Sequence, residues 1–140
     1  MRELGRVLRP GGRLFLSIPN YSNIERRLKY VLTGCFTKPV SQERLRTQFG
    51  GSTAMMHLSP IGYPILRFAL EAAGFRIESL LRDKVKYRQY LLFPLWAGLK
   101  AMQALSSPSR RAKWWTKEML SPPIFWGGNT LMVVAIKREA

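Results

Sequence analysis

Glu3-Leu4-Gly5-Arg6-Val7-Leu8-Arg9-Pro10-Gly11-Gly12-Arg13-Leu14-Phe15-Leu16-Ser17-Ile18-Pro19-Asn20 decides how this chain is read. Leu4, Val7 and Leu8 recur at helical spacing. Arg6 and Arg9 suit a helix C-terminus, where cations offset the negative end of the dipole. Pro10 cannot continue a helix, and Gly11-Gly12 supplies a tight turn. Residues 13–18 then predict a strand whose Leu14-Phe15-Leu16 run is apolar on both faces, as a strand covered above and below requires. The chain thus opens in the middle of an α/β unit, and whatever precedes this helix in a complete fold is expected to lie before residue 1.

Outward from this stretch, Pro19-Asn20-Tyr21-Ser22 reads as a loop. Ser22 or Asn23 can cap a helix from Ile24 to about Leu32, closed by Gly34. Its apolar stripe is Ile24, Leu28, Val31 and Leu32, and its opposite face carries Arg26, Arg27 and Lys29. Residues 35–58, polar and containing Gly50-Gly51, read as irregular; a loop this long is usually functional or mobile. Ser59-Pro60 predicts the start of a helix running to about Ala73, with proline at the first helical position and Gly74 at the end. From Phe75 to about Leu81 a strand is expected, Phe75, Ile77 and Ser79 on one face, Arg76, Glu78 and Leu80 on the other. Gly127-Gly128-Asn129 turns the chain into a last strand, 130–137, apolar along most of its length and therefore expected in the middle of a sheet.

The 140 residues suffice for one domain with a modest core. A net charge of +15 favours polyanionic partners: nucleic acid, acidic lipid headgroups or a phosphorylated substrate. The excess lies in two blocks. Residues 1–50 hold ten Lys/Arg against three Glu, and residues 82–118 hold nine against Asp83 and Glu118, around a balanced middle. Solvated basic faces are the ordinary explanation of such blocks. Cys35 is the lone cysteine, which excludes an intrachain disulfide and points to a reducing, cytoplasmic setting. Nothing near Cys35 suggests an activated thiol. With one histidine, one cysteine and no clustered carboxylates, no metal site is expected.

Three blocks carry a family resemblance. Glu3…Arg6-Val7-Leu8-Arg9-Pro10-Gly11-Gly12-Arg13-Leu14 resembles the helix-turn-strand that enters the fifth strand of class I S-adenosylmethionine-dependent methyltransferases. His57-Leu58-Ser59-Pro60…Leu66…Leu70-Glu71-Ala72-Ala73-Gly74-Phe75 resembles the helix leading to that family's sixth strand, and the end of the chain resembles its seventh. The resemblance covers roughly residues 2–34, 57–82 and 123–138. It implies an α/β, partial Rossmann-like methyltransferase fold over residues 1–140. The three strands would be ordered 13–18, 130–137, 75–81, the last-in-sequence strand central and antiparallel to both neighbours. The open edge of 13–18 is where a missing fourth strand would pair, and another chain could supply it.

The same resemblance implies S-adenosylmethionine as cofactor of the complete enzyme, with its binding loop absent from this chain. Gly11-Gly12 is not that loop: it precedes a strand, whereas a cofactor-binding turn follows a strand and opens a helix. Ligands of open α/β sheets bind outside the carboxyl ends of the strands. Ser17, Pro19, Asn20 and Tyr21 sit at such an end, so Ser17, Asn20 and Tyr21 are the candidate substrate-binding residues; the plain alternative is a turn residue and a packed aromatic. His57 is the candidate catalytic base, able to take a proton from an acceptor hydroxyl, although a loop histidine commonly just bonds a backbone carbonyl.

The resemblance does not cover the insert 83–122. Its apolar stretch, about 91–105, would be only ~22 Å long as a helix against a hydrocarbon core of ~30 Å, so a transmembrane span is not expected. Flanking basic residues and Trp96, Trp114 and Trp115 suit either a helical cap over the sheet or an interfacial contact with acidic membrane through residues 90–115. Nucleic acid is the weaker alternative, since no RNA-binding signature accompanies Trp114 and Trp115. The expected function is thus the acceptor-side portion of a methyltransferase, inactive alone, with a basic module docking on membrane or RNA as the alternative. The methyl acceptor is not specified by these residues.

Overall fold

A computed structural model describes residues 1–35, 41–49 and 61–139. Helix α1 (Arg2–Val7) leads through the Pro10-Gly11-Gly12 turn into strand β1 (Arg13–Pro19). Gly11 sits at φ 74°, a left-handed conformation that a side chain would strain. The turn is clamped to the far end of the chain: Gly11 N–H donates to Lys137 O (3.1 Å) and Lys137 N–H to Gly12 O (2.9 Å). The Lys137 ammonium caps α1 by donating to Leu8 O at 2.6 Å.

Helix α2 (Ile24–Thr33) is capped by Asn23, whose Oδ1 accepts from Arg26 N–H, and closed by left-handed Gly34. Residues 42–49 correct the expectation of an irregular segment. They form helix α3 (Gln42–Phe49), with Glu43 in its first turn and Arg46 in its last, each complementing the dipole. Its residues favour helix locally while lacking the apolar periodicity by which a helix is read from sequence. Helix α4 (Tyr63–Ala72) begins later than Ser59-Pro60, which lie outside the described residues. Pro64 explains the start. A proline has no N–H for an interior helix bond and is tolerated only in the first turn.

Strand β2 (Phe75–Arg82) follows, then the insert: a 3₁₀ turn (Tyr87–Leu92), α5 (Phe93–Leu105), α6 (Pro108–Lys113), α7 (Thr116–Met119) and α8 (Pro122–Phe125). Strand β3 (Thr130–Lys137) ends the described fold. The sheet order is β1-β3-β2, with β3 antiparallel to both neighbours, the arrangement expected from the sequence. A bulge between Ile77 and Ser79 corrects the expected facing of β2. The extra residue shifts the phase, so Leu80, opposite Val133, joins Phe75 and Ile77 on the core face, and Ser79 turns away. Glu78, at the bulge, reaches across the sheet to accept from both Nε and Nη2 of Arg13 at 2.9 Å.

One sheet face is covered. Tyr63, Leu66 and Leu70 of α4 and Ile124 of α8 pack on Phe75, Leu131, Val133 and Ala135, with Leu14, Leu16 and Ile18 beside them. On the other face Phe15 is 72% exposed, and Leu81 and Met132 are exposed too. The expectation that β1 is covered on both faces therefore fails among the described residues. A second cluster joins α2 to the insert: Ile24, Leu120, Phe125 and Trp126, with Leu28, Leu92, Trp96 and Leu99 packed against it. The insert is thus a helical cap packed on α2 and the sheet's end. Only half of the expected α2 stripe takes part, because Val31 and Leu32 are 78% and 82% exposed.

Leu70→Ala, which empties a fully buried site, is expected to lower unfolding stability by about 2–5 kcal/mol in denaturant titration. Val31→Ala with Leu32→Ala should change it by no more than about 0.5 kcal/mol per site. A larger loss from the second pair would mean that the α2 stripe is packed along its whole length.

Candidate functional site

The carboxyl end of β1 opens into a crevice of about 340 Å³ against α4. Ile18, Pro19 and Tyr21 form one wall and Ile65, Leu66 and Ala69 the other. Strand β1 ends here because the chain turns at Asn20-Tyr21-Ser22, and α4 presents Ile65 and Ala69 to the crevice because Tyr63 and Leu70 are anchored in the core, with Leu66 shared between core and crevice. The lining is almost wholly apolar, and Tyr21 is its one residue with a polar side-chain group among the described residues. Arg26, in the first turn of α2, lies 6.0 Å over the Tyr21 ring. Such a crevice can bind and orient an apolar ligand beside a strand end; its walls carry no carboxylate or imidazole.

The four residues read as candidates separate. Tyr21 lines the crevice. Ser17 does not: it pairs with Met132 on the opposite, open face of the sheet. Asn20 is 3% exposed and faces inward. Its Nδ2 donates to Ile124 O (2.9 Å), its Oδ1 accepts from Ser22 N–H (3.1 Å), and its backbone N–H donates to Asn129 O (2.7 Å). Asn20 therefore positions the loop that carries Tyr21, where the sequence suggested a substrate contact. His57 lies outside the described residues.

Three residues read from sequence only as a helix cap, a basic face and a turn hold this loop to the cap. Asn23 is buried; beyond capping α2 it donates through Nδ2 to Gly128 O at 2.7 Å. Arg27, read as part of a solvated basic face, turns inward instead. It donates to Ser22 O (2.6 Å) and Met119 O (2.5 Å) and lies 5.0 Å over the Phe125 ring. Burial lowers its pKa to about 10, and the two carbonyls and the ring take the place of water around the cation. Gly127 completes the junction, since a Cβ there would meet Pro123 O and the Asn20 amide. The adjacent Phe125-Trp126-Gly127-Gly128 run, large aromatics beside two glycines, was the available signal of a close chain crossing.

Lys86, from the start of the insert, reaches the same loop. It donates to Glu25 Oε2 (2.6 Å) and Asn129 Oδ1 (3.0 Å), and its hydrogen bond to Glu25 holds that carboxyl below the usual carboxylate range.

The described residues do not fit the cofactor that the family resemblance implies. A dinucleotide- or nucleoside-binding turn offers free backbone N–H groups after a strand. Here β1 is followed by Asn20-Tyr21-Ser22-Asn23, without glycine, and the N–H groups of Gly11 and Gly12 are taken by Lys137 O and Arg9 O. Among the described residues no group of His, Cys, Asp and Glu side chains is placed to hold a metal ion.

Asn23→Ala should cost about 2–4 kcal/mol of unfolding stability, through the lost cap and the orphaned Gly128 carbonyl. Asn23→Ser, which keeps a capping oxygen without the bond to Gly128, should recover about 1 kcal/mol of that loss. Because Glu25 is depressed in the folded state, the Glu25–Lys86 contribution is present at neutral pH and fades as acidification protonates Glu25. Lys86→Met should therefore flatten the acid limb of the stability–pH curve, and an unchanged limb would remove Glu25 from its causes.

No known family model matches the chain, and no curated protein is significantly similar to it. Its functional reading therefore rests on the fold and on this crevice.

Proposed function

We propose that these residues are the acceptor-side, C-terminal portion of an S-adenosylmethionine-dependent methyltransferase with a Rossmann-like sheet. The observation that carries this reading is the strand arrangement. Two mutually parallel strands flank an antiparallel last strand, and a helix with a Pro-Gly-Gly turn enters the outer one. The edge of β1 that pairs with no strand among the described residues, and the apolar face around Phe15 that those residues leave exposed, support it further, because such an edge and face suit more sheet and helix beside them.

In this reading the chain binds and orients the acceptor, and residues other than those described hold the cofactor. Alignment is most of what transfer from an already activated methyl donor requires of a protein. The crevice suits an apolar acceptor, its reacting end toward Tyr21 and the end of β1. His57, four positions before Ile61 of the crevice rim, would accept the proton where the acceptor is an alcohol.

Calorimetry of the 140-residue chain with S-adenosylmethionine is expected to give no measurable heat of binding; tight binding would contradict the division of labour. The protein isolated from its own cells, with any chain that accompanies it, should pass labelled methyl from S-adenosylmethionine to an acceptor extractable into organic solvent. Ile65→Asp, at an exposed wall position, should abolish transfer while leaving cofactor binding intact. A preparation that binds the cofactor yet labels nothing would count against the proposal.

A second reading, docking on acidic membrane, is favoured by the outer surface of the insert. Leu91, Met102 and Trp114 are exposed and Leu105 is 89% exposed, beside Arg110, Arg111 and Lys113. No helix among the described residues is long and apolar enough to cross a membrane. Salt-sensitive sedimentation with acidic vesicles, lost on charge reversal at Arg110, Arg111 and Lys113, is the expected result; binding unchanged by that reversal would end this reading.

A further inference from the structure

A second, larger cavity lies between α4 and the insert, away from the β1 crevice. It is an open hollow of about 700 Å³, the volume of a site for a small organic ligand. Arg67 of α4, Lys100 of α5, Arg111 of α6 and Trp115, Lys117 and Glu118 around the start of α7 line it. Four elements thus bring four cations to one hollow.

One of those cations is neutralised. Arg67 donates to Glu71 Oε1 (3.0 Å), forms an ion pair with Glu118, and lies 4.6 Å over the Trp115 ring. Glu118 also accepts from the Tyr63 hydroxyl at 2.5 Å, through the same Oε2 that pairs with Arg67, so its charge is already answered by Arg67. Lys100, Arg111 and Lys117 have no carboxylate partner among the described residues. Lys100 lies 5.6 Å over the Trp96 ring, and the neighbouring Gln103 holds α5 to α7 through Thr116 Oγ1 (3.3 Å). Trp115 is held at φ 45°, a left-handed conformation unfavourable to a bulky residue, and that turn sets its ring in the cavity wall. Like charges gathered around a hollow repel one another, and an anion between them reverses the sign of that interaction.

We infer that this cavity binds a phosphate monoester, with Lys100, Arg111 and Lys117 holding the phosphate. Three cations exceed the single charge of a carboxylate. A phosphate monoester carries about −1.5 to −2 at neutral pH and offers three acceptor oxygens. Arginine meets such a group with a planar fork, and lysine meets it as a point charge. The remaining volume takes the esterified group, with the Trp115 ring as an apolar surface. This site stands apart from the transferase reading, and it shares Arg111 with the surface named for membrane docking.

The test is titration calorimetry with glycerol 3-phosphate and with a short-chain, water-soluble phosphatidic acid, glycerol serving as the uncharged control. At least one phosphate should bind saturably. Preference for glycerol 3-phosphate would assign a soluble ester, and preference for the phosphatidic acid a lipid headgroup. Lys100→Ala with Lys117→Ala should weaken binding about tenfold or more, and Lys100→Arg with Lys117→Arg should retain it. Arg9→Ala with Arg138→Ala removes the same charge at exposed positions away from the cavity and should leave binding unchanged. Failure of both phosphates to bind, or equal weakening in the Arg9/Arg138 variant, would overturn the inference.

Discussion

Two asparagine amides hold this molecule together. Asn20 donates to Ile124 O and Asn23 to Gly128 O, and between these bonds lie the residues that divide among three packing units. Ile124 enters the core under α4, Phe125 and Trp126 enter the cluster under α2, and Gly127-Gly128 leads into the central strand. Each amide bonds a backbone carbonyl in a space closed to water, so losing one leaves a buried acceptor unpaired. Gly127 is part of the same constraint, because only a residue without Cβ lets the Asn20 amide approach. The loop after β1 is therefore fixed from behind, which is what allows Tyr21 to form a crevice wall.

The parts of the fold legible in the sequence were those set by local chemistry or by hydrophobic pattern. Pro10-Gly11-Gly12 reads as a turn because few other structures accept those residues, and the unbroken apolar run of 131–136 reads as a central strand. Features set by tertiary contact were not legible. The β2 bulge depends on pairing with β3 and on the reach of Glu78 toward Arg13, neither of which leaves a periodic trace. Arg27 follows the spacing of a solvated face and is buried because Met119 and Phe125 come to meet it from 92 and 98 positions away in the chain. Asn20 was found for its place at a strand end; its inward orientation follows from Ile124, over a hundred positions distant.

The positive charge also divides in a way that composition conceals. Lys86, Lys137 and Arg27 tie distant segments through carbonyls and a carboxylate, and Arg13 and Arg67 are paired with glutamates. These cations are structural. Lys100, Arg111 and Lys117 are left facing a hollow whose lining acid, Glu118, is paired with Arg67, and there the basic excess becomes chemically specific.

The central claim is that the amides of Asn20 and Asn23 make the sheet and the helical cap one cooperative unit. Native-state hydrogen exchange measures this directly, by comparing the opening free energies of β3 amides from 131–135 with those of α5 amides from 97–105. In the unmodified protein both sets should open at the same free energy. In Asn20→Ala with Asn23→Ala, the α5 amides should open at a lower free energy than those of β3. Identical opening in both segments of the double variant, at the free energy of the unmodified protein, would contradict the account.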